Sequence, residues 1–187
     1  MARVLVWVCE GTWPAVIDAV RSSASFTLEG TEFTLIHVDE EELPEAAHGA
    51  VLGLFGRGHS GPDPASLIEE AAEEAAASLL DRAAARLDRP CAKLQEHGHP
   101  ERIVVSAAAD HDLLILARDG DVSRLGPKSL GKHGRFVVDH APCRVLLVWP
   151  VEAPAVDTIP PKPPHPPEPP GHPGPPHPPQ PPGASSR

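Results

Sequence analysis

The first 150 residues alternate between short apolar runs and longer stretches in which apolar residues recur with helical spacing. Continuous apolar runs rich in Val, Ile and Leu are typical of strands that are buried on both faces of a sheet. Four such runs are predicted to be strands, together with a fifth segment of similar length that is more polar. They are RVLVWV (3–8), EFTLIHV (32–38), CAKLQE (91–96), DLLILA (112–117) and CRVLLVW (143–149).

Helix signals lie between these runs. Thr12 is a candidate N-cap, and Pro14 follows it in the first turn, where its missing N–H costs nothing. The clearest helix begins at Asp63, its candidate cap, and consists mainly of Ala, Leu, Glu and Arg, which favour helices. Gly134 weakens the last helix. The predicted helices are 12–23, 63–89, 100–110 and 129–140.

The alternation of strands and helices predicts the fold class. Strand–helix–strand units with these spacings form right-handed crossovers, which place parallel strands in one sheet with helices on both faces. We therefore expect a Rossmann-like α/β fold with a doubly wound, five-stranded parallel sheet. Ligands of such sheets bind at the carboxyl ends of the strands, so the segments 8–11, 38–39 and 116–120 are the places to look for a site.

The C-terminal segment has a different composition from the rest. Sixteen of the 25 prolines lie between Pro154 and Pro182. Such a segment cannot pack a core and is expected to be disordered, with a preference for polyproline II. We predict one domain over residues 1–150 and a proline-rich tail over 151–187. The tail is interpreted as a spacer, as a ligand for a proline-recognition partner, or as a weak metal binder through His165, His172 and His177.

Charge and cysteine content narrow the partners and the compartment. The net charge of -10 disfavours nucleic acid and anionic membranes, which both attract clustered Lys and Arg. The three cysteines form no C-x-x-C pair, which favours a reducing compartment. The apolar run at the start is too short for a signal peptide or a membrane span. These observations predict a cytoplasmic protein.

One short motif suggests phosphate binding. GPKSLGK, from Gly126 to Lys132, matches the phosphate loop G-x-x-x-x-G-K up to the last position, where His133 replaces the Ser or Thr that binds Mg²⁺. A true loop of this kind follows a strand directly, whereas here the preceding strand ends near Ala117. The pattern therefore disfavours a Walker-type nucleotide triphosphatase.

A wider window resembles a known family. LGKHGRFVVDHAPCRVLLV (130–148) is similar to the C-terminal half of universal stress proteins, and the segments VLVWV and LIHV stand in order for the first two strands. The resemblance covers roughly residues 2–149. It implies an adenine nucleotide alpha hydrolase-like sheet that often dimerises through its last strand. It also implies that ATP or another adenine nucleotide binds, with the base and ribose over the first two strands and the phosphates in a glycine loop.

The resemblance also implies a set of binding residues, with several departures from the family pattern. Ala117 replaces the first glycine of the loop, and Lys132 replaces a Ser or Thr. The Asp that usually contacts adenine aligns with Cys9, or with Glu10 after a slip of one residue. Lys132 adds a cation at a helix start, and Arg124 and Lys128 are expected to add to the same pocket. The predicted nucleotide-binding residues are Val8, Cys9, Glu10, Val38, Leu116, Ala117, Gly120, Gly131, Lys132 and His133.

Other candidate groups have two interpretations each. His97 and His99 are either metal ligands or solvated loop residues, and no third ligand has suitable spacing. Cys9 is either a reactive thiol with a lowered pKa or a small buried side chain. Trp13 could stack on a base or pack in the core. The segment GAVLGLFG (49–56) could be a lid or a loop that covers the sheet.

These patterns leave three functional hypotheses. The first is a regulatory module that binds an adenine nucleotide without fast catalysis, since the sequence has no recognisable catalytic or metal motif. The alternative is a homodimeric interaction protein that does not bind nucleotide and whose proline-rich tail recruits a protein partner. The third is a slow ATPase.

Overall fold

The structure is a computed structural model and describes residues 2–23, 30–40 and 64–161. The predicted cap Asp63, the segment 49–56 and the tail from residue 162 onward lie outside the described residues. No helix in the described ranges is both long enough and apolar enough to cross a membrane.

Five parallel strands form one sheet in the order β3-β2-β1-β4-β5. The strands are β1 (Arg3–Trp7), β2 (Glu32–Glu40), β3 (Cys91–Gly98), β4 (Leu113–Ala117) and β5 (Arg144–Val148). All five predicted strands are confirmed. Two of them are longer than predicted, because the pairing of β2 with β3 continues through Asp39 opposite His97 and Glu40 opposite Gly98. Asp39 and Glu40 are therefore the last two residues of β2.

Within the described residues, four α-helices lie between the strands: α1 (Trp13–Ser22), α2 (Pro64–Leu87), α3 (Pro100–Ala108) and α4 (Lys132–His140). The last helix is shorter than predicted. Residues 127–129 form a separate 3₁₀ turn, and Gly131 is the N-cap of α4. Thr12 occupies the N-cap position of α1, but its hydroxyl makes no cap hydrogen bond and lies 3.4 Å from the Cys9 carbonyl.

The helices cover both faces of the sheet, as predicted. Alternate residues of β1 point to opposite sides, so that Val4 and Val6 pack with α1 and α2, whereas Leu5 and Trp7 pack with α3 and α4. Trp7 is a core residue, only 6% exposed.

The strand order reverses between β1 and β4. From β1 the chain proceeds outward to β2 and β3, and it then returns to β4 on the other side of β1. This is the switch point at which parallel sheets open a crevice for ligands. Cys9 and the segment after Ala117 lie at this crevice, as do the first residues of α4.

Candidate functional site

Four of the predicted site residues belong to the core and can reach a ligand only through their backbone. Val8, Val38, Leu116 and Ala117 are all at most 7% exposed. The Val8 carbonyl is already used, since His37 Nδ1 lies 2.7 Å from it. A ligand at this edge would therefore meet the polar residues that follow the strands.

Cys9 is a packed side chain and not a reactive one. Its carbonyl accepts the N–H of Trp13 at 3.0 Å, which fixes the turn into α1, and its side chain packs against the α3–α4 side of the core. Burial, with a smaller contribution from the Asp119 carboxylate, raises the pKa of the Cys9 thiol to about 12. The interpretation of Cys9 as a thiol with a lowered pKa is wrong.

The loop between β4 and α4 closes on itself. The Gly120 N–H donates to the Ser129 carbonyl at 3.1 Å, and the Asp121 N–H donates to the Lys128 carbonyl at 2.8 Å. A Cβ atom at Gly120 would clash with the Lys128 carbonyl and lie 2.9 Å from the Ser129 carbonyl carbon. Gly120 is therefore required for the loop to approach its own backbone.

A carboxylate occupies the start of α4. The Gly131 N–H donates to Asp119 Oδ1 at 2.7 Å. A Cβ atom at Gly131 would lie 3.0 Å from Asp119 Oδ2, and one at Gly134 would lie 2.8 Å from Oδ1. The two glycines thus form a cradle that the Asp119 side chain fills. Asp119 was absent from the predicted site residues; the signal for it was an acidic residue just after a buried strand, followed by glycines three residues apart at a helix start.

The three candidate phosphate cations do not converge, contrary to expectation. Lys132 is exposed at the start of α4, and no ion pair joins it to another described residue. Arg124 pairs with Asp121, with 2.9 Å between Nε and Oδ2. Arg124 and Lys128 line a separate cavity of about 290 Å³, together with Pro160, and Lys132 does not reach it. The hydrogen bonds that close the loop separate these side chains.

Arg118 has a structural role in the same loop. Its guanidinium lies over the Trp149 ring, 4.6 Å from the centroid, and Nη1 donates to Ser129 Oγ at 2.5 Å. The Arg118 side chain is therefore held next to Trp149, just after the carboxyl end of β5. Residues beyond β5 also touch the loop, because the Leu125 N–H donates to Thr158 Oγ1 at 3.0 Å.

A larger cavity, of about 530 Å³, opens where β2, β3, α3 and α4 meet. We call it the β2–α4 cavity. Its lining residues are Glu40, Gly98, His99, Pro100, Glu101, Lys132, His133 and Phe136. Two of the predicted site residues, Lys132 and His133, are thus brought together at one cavity. Glu40 and Glu101 were not predicted, because they lie at the end of β2 and in the first turn of α3 and come close to α4 only in the folded chain.

His133 is held between the two carboxylates of this cavity. Its Nδ1 lies 2.6 Å from Glu101 Oε2, and its Nε2 lies 2.7 Å from Glu40 Oε1. The second contact is an ion pair without hydrogen-bond alignment, so the buried Nε2 atom has no hydrogen-bond partner among the described residues. The pKa of Glu101 is lowered, mainly because its own backbone N–H donates to the carboxylate at the helix start and also because His133 does.

The histidines proposed as metal ligands have other neighbours. His97 lies in β3, and its Nδ1 is 3.7 Å from Asp39 Oδ2, while His99 borders the β2–α4 cavity. His37 also contacts Asp39, with 3.2 Å between Nε2 and Oδ1. In the ranges that the structure describes, no three His, Cys, Asp or Glu side chains are arranged to hold a metal ion.

Comparison with known proteins identifies the fold. No protein-family model matches the chain, and no curated protein does. Among solved structures, the hypothetical protein MJ0577 has a TM-score of 0.57 at 19% identity, and the match covers 79% of this chain and 95% of that one. A universal stress protein in complex with cAMP has a TM-score of 0.50 at 17% identity and matches over 80% of this chain and 98% of its own. A universal stress protein family protein from Arabidopsis thaliana, with AMP bound, has a TM-score of 0.53 at 14% identity, over 86% and 96%.

The chain has the universal stress protein fold. The predicted fold class, a parallel five-stranded sheet with helices on both faces, is confirmed. The match covers 95%, 98% and 96% of the three solved proteins. At these levels of identity the likeness concerns the fold, so the site has to be judged from the side chains of this chain.

Proposed function

We propose that this chain is a universal-stress-protein-like regulatory module that binds an adenine nucleotide at the carboxyl edge of its sheet, without fast catalysis. The observation that carries the proposal is the β2–α4 cavity, which opens at the carboxyl ends of β2 and β3. Its volume of about 530 Å³ is typical of small-molecule pockets. Solved proteins of the same fold hold AMP or cAMP.

The cavity offers suitable contacts for a base and a ribose. Glu40 and Glu101 line the cavity and are hydrogen-bond acceptors for an exocyclic amine or for ribose hydroxyls. Lys132, at the rim, is the nearest cation for a phosphate.

The same geometry supports binding over turnover. Both ring nitrogens of His133 face carboxylates at 2.6 and 2.7 Å, so the imidazole acts as a bridge between Glu40 and Glu101 and is a poor candidate for a general base. We therefore place the slow-ATPase hypothesis last. The three unpaired cysteines suit a reducing compartment, and we propose a cytoplasmic location.

The second candidate function is a homodimeric interaction protein. The observation that favours it is the edge position of β5: among the described residues it pairs only with β4, and its Leu146 is 37% exposed. An open edge with an exposed apolar side chain is a surface on which a second copy could add its own β5. In this proposal the proline-rich tail recruits a protein partner, whatever the nucleotide site does.

Titration calorimetry with adenosine, AMP, cAMP, ADP and ATP tests the first proposal. We expect each ligand to bind saturably and to compete with the others for the same site. No heat of binding at millimolar concentrations of all five would contradict it and would leave the interaction protein as the better description. Light scattering of the wild type and Leu146→Lys tests the dimer separately, since a lysine at that position should shift the mass toward the monomer.

A further inference from the structure

The Asp119 carboxylate occupies the start of α4, where free N–H groups would otherwise be open to a ligand's phosphate. The N–H groups at the start of a helix are the usual partners of phosphate oxygens. In this chain the N–H of Gly131 is already bonded to Asp119 Oδ1 at 2.7 Å, and the carboxylate fills the space in front of both Gly131 and Gly134. The Asp119 carboxylate also contributes to the raised pKa of the Cys9 thiol, which follows β1.

No cation neutralises this carboxylate within the described residues, where no Lys or Arg comes within 4.0 Å of it. Its neighbour Arg118 is directed to Trp149 and Ser129 instead. A phosphate approaching Gly131 would therefore meet an uncompensated negative charge at close range. It would also have to break the hydrogen bond between Asp119 and Gly131 before it could form its own.

We propose that Asp119 is a specificity-determining residue of the crevice: its carboxylate is an internal anion that competes with the phosphate of a ligand, so the chain discriminates against phosphorylated ligands relative to the bare nucleoside. The inference rests on the proposed nucleotide function and adds to it the ligand class that the site selects. Gly131 gives this carboxylate room: its φ of -69° and ψ of 179° are open to any residue, and the three atoms nearest to a Cβ at Gly131 all belong to the Asp119 carboxylate.

Two substitutions of Asp119 separate charge from space. Asp119→Asn removes the charge but keeps an oxygen that can accept the Gly131 N–H. Asp119→Ala removes both and leaves that N–H free. The matched control is Asp121→Asn, which makes the same change in net charge in the same loop, where the carboxylate contacts Ser123 and Arg124 and not Gly131.

The three variants and the wild type are titrated with adenosine, AMP and pyrophosphate, by calorimetry and by thermal shift. A charge-assisted hydrogen bond is worth about 1.5–3 kcal/mol, so we expect Asp119→Ala to bind AMP and pyrophosphate at least about tenfold more tightly than the wild type. Asp119→Asn should fall between them, and Asp121→Asn should match the wild type. Adenosine affinity should be the same in all four proteins.

The three ligands distinguish the possible failures. Equal affinity of wild type and Asp119→Ala for AMP and for pyrophosphate overturns the inference while leaving nucleotide binding intact. Asp119→Ala could gain affinity for pyrophosphate while adenosine does not bind and AMP binds no more tightly than pyrophosphate. That result supports Asp119 as the internal anion but contradicts the adenine site. No binding of any ligand by any variant overturns both. Asp119→Asn keeps the test valid if Asp119→Ala does not fold.

Discussion

The two parts of the carboxyl edge of this sheet differ in how far they are closed. At the loop between β4 and α4, which we call the glycine loop, the Gly120 N–H donates to the Ser129 carbonyl and the Gly131 N–H donates to the Asp119 carboxylate. At the β2–α4 cavity, the space is open and is lined by the polar side chains of Glu40, Glu101 and Lys132.

This difference indicates how binding energy would be distributed over a ligand. A group that enters the β2–α4 cavity gains contacts without breaking any at the glycine loop. A group that approaches Gly131 has to replace an existing bond, and the net gain from exchanging one hydrogen bond for another is small. Under the proposed function, we therefore expect binding energy to come from the base and ribose in the cavity more than from a phosphate at Gly131.

The largest expected effect concerns Cys9, whose thiol is influenced by Asp119 of the closed glycine loop. Thiolates, not thiols, react with alkylating reagents. The rise in the pKa of Cys9 from 9.0 to about 12 lowers its thiolate fraction near neutral pH about a thousandfold. Iodoacetamide labelling followed by mass spectrometry should therefore modify Cys9 far more slowly than Cys143, whose pKa is also raised by burial but less. Equal rates for the two thiols in urea are the control, and equal rates in the native protein would contradict the tight packing of this side.

The closed loop also predicts unequal costs for its glycines. In Gly120→Ala the new methyl group meets the backbone of Lys128 and Ser129, which can retreat only if the loop opens. Overpacking of this kind costs roughly 1–3 kcal/mol, and we expect the upper part of that range. In Gly131→Ala the methyl group meets only the Asp119 carboxylate, which can rotate away, so the cost should stay below about 1 kcal/mol.

Urea unfolding of the two variants measures these costs as changes in the free energy of unfolding. An equal loss in both would mean that Gly120 does not close the loop on its own backbone, and the contrast between the two parts of the edge would be weaker.

The fold was predictable because its signals are local. Each buried strand is a short apolar run, and the alternation with helices determines the parallel arrangement. The ends of β2 and β3 were missed because Asp39, Glu40 and His97 are polar. They continue the strands only because the two strands pair with each other to the last residue.

The site was predictable only in part, because its contacts are not local. Gly131 and Lys132 follow from the motif itself. Asp119 lies 12 residues before Gly131, and Glu101 lies 32 residues before His133, so no spacing rule connects them. Arg124 and Lys128 looked like neighbours of Lys132 along the chain, but the closure of the loop at Gly120 directs them to another cavity.

The smallest expected effect concerns Glu101, on the open side. Its pKa is lowered in the folded chain, so its carboxylate favours the folded state when it is ionised. The stabilisation is complete above the unfolded pKa of 4.5 and is lost as the pH falls through the lower folded value. Because the Glu101 side chain is partly solvated, we expect its ionised carboxylate, bonded to its own backbone N–H and to His133, to contribute only about 0.5–1 kcal/mol to the free energy of unfolding.

The wild type and Glu101→Gln should differ in the free energy of unfolding by about that amount near pH 6 and should converge toward about pH 3. The exposed Glu152, changed to Gln, is the control and should show no such convergence. A difference between wild type and Glu101→Gln that stays constant in acid would mean that the carboxylate charge does not hold His133. The bridge from α3 to α4 would then depend on packing alone, and the open cavity would be more adaptable than its ion pairs indicate.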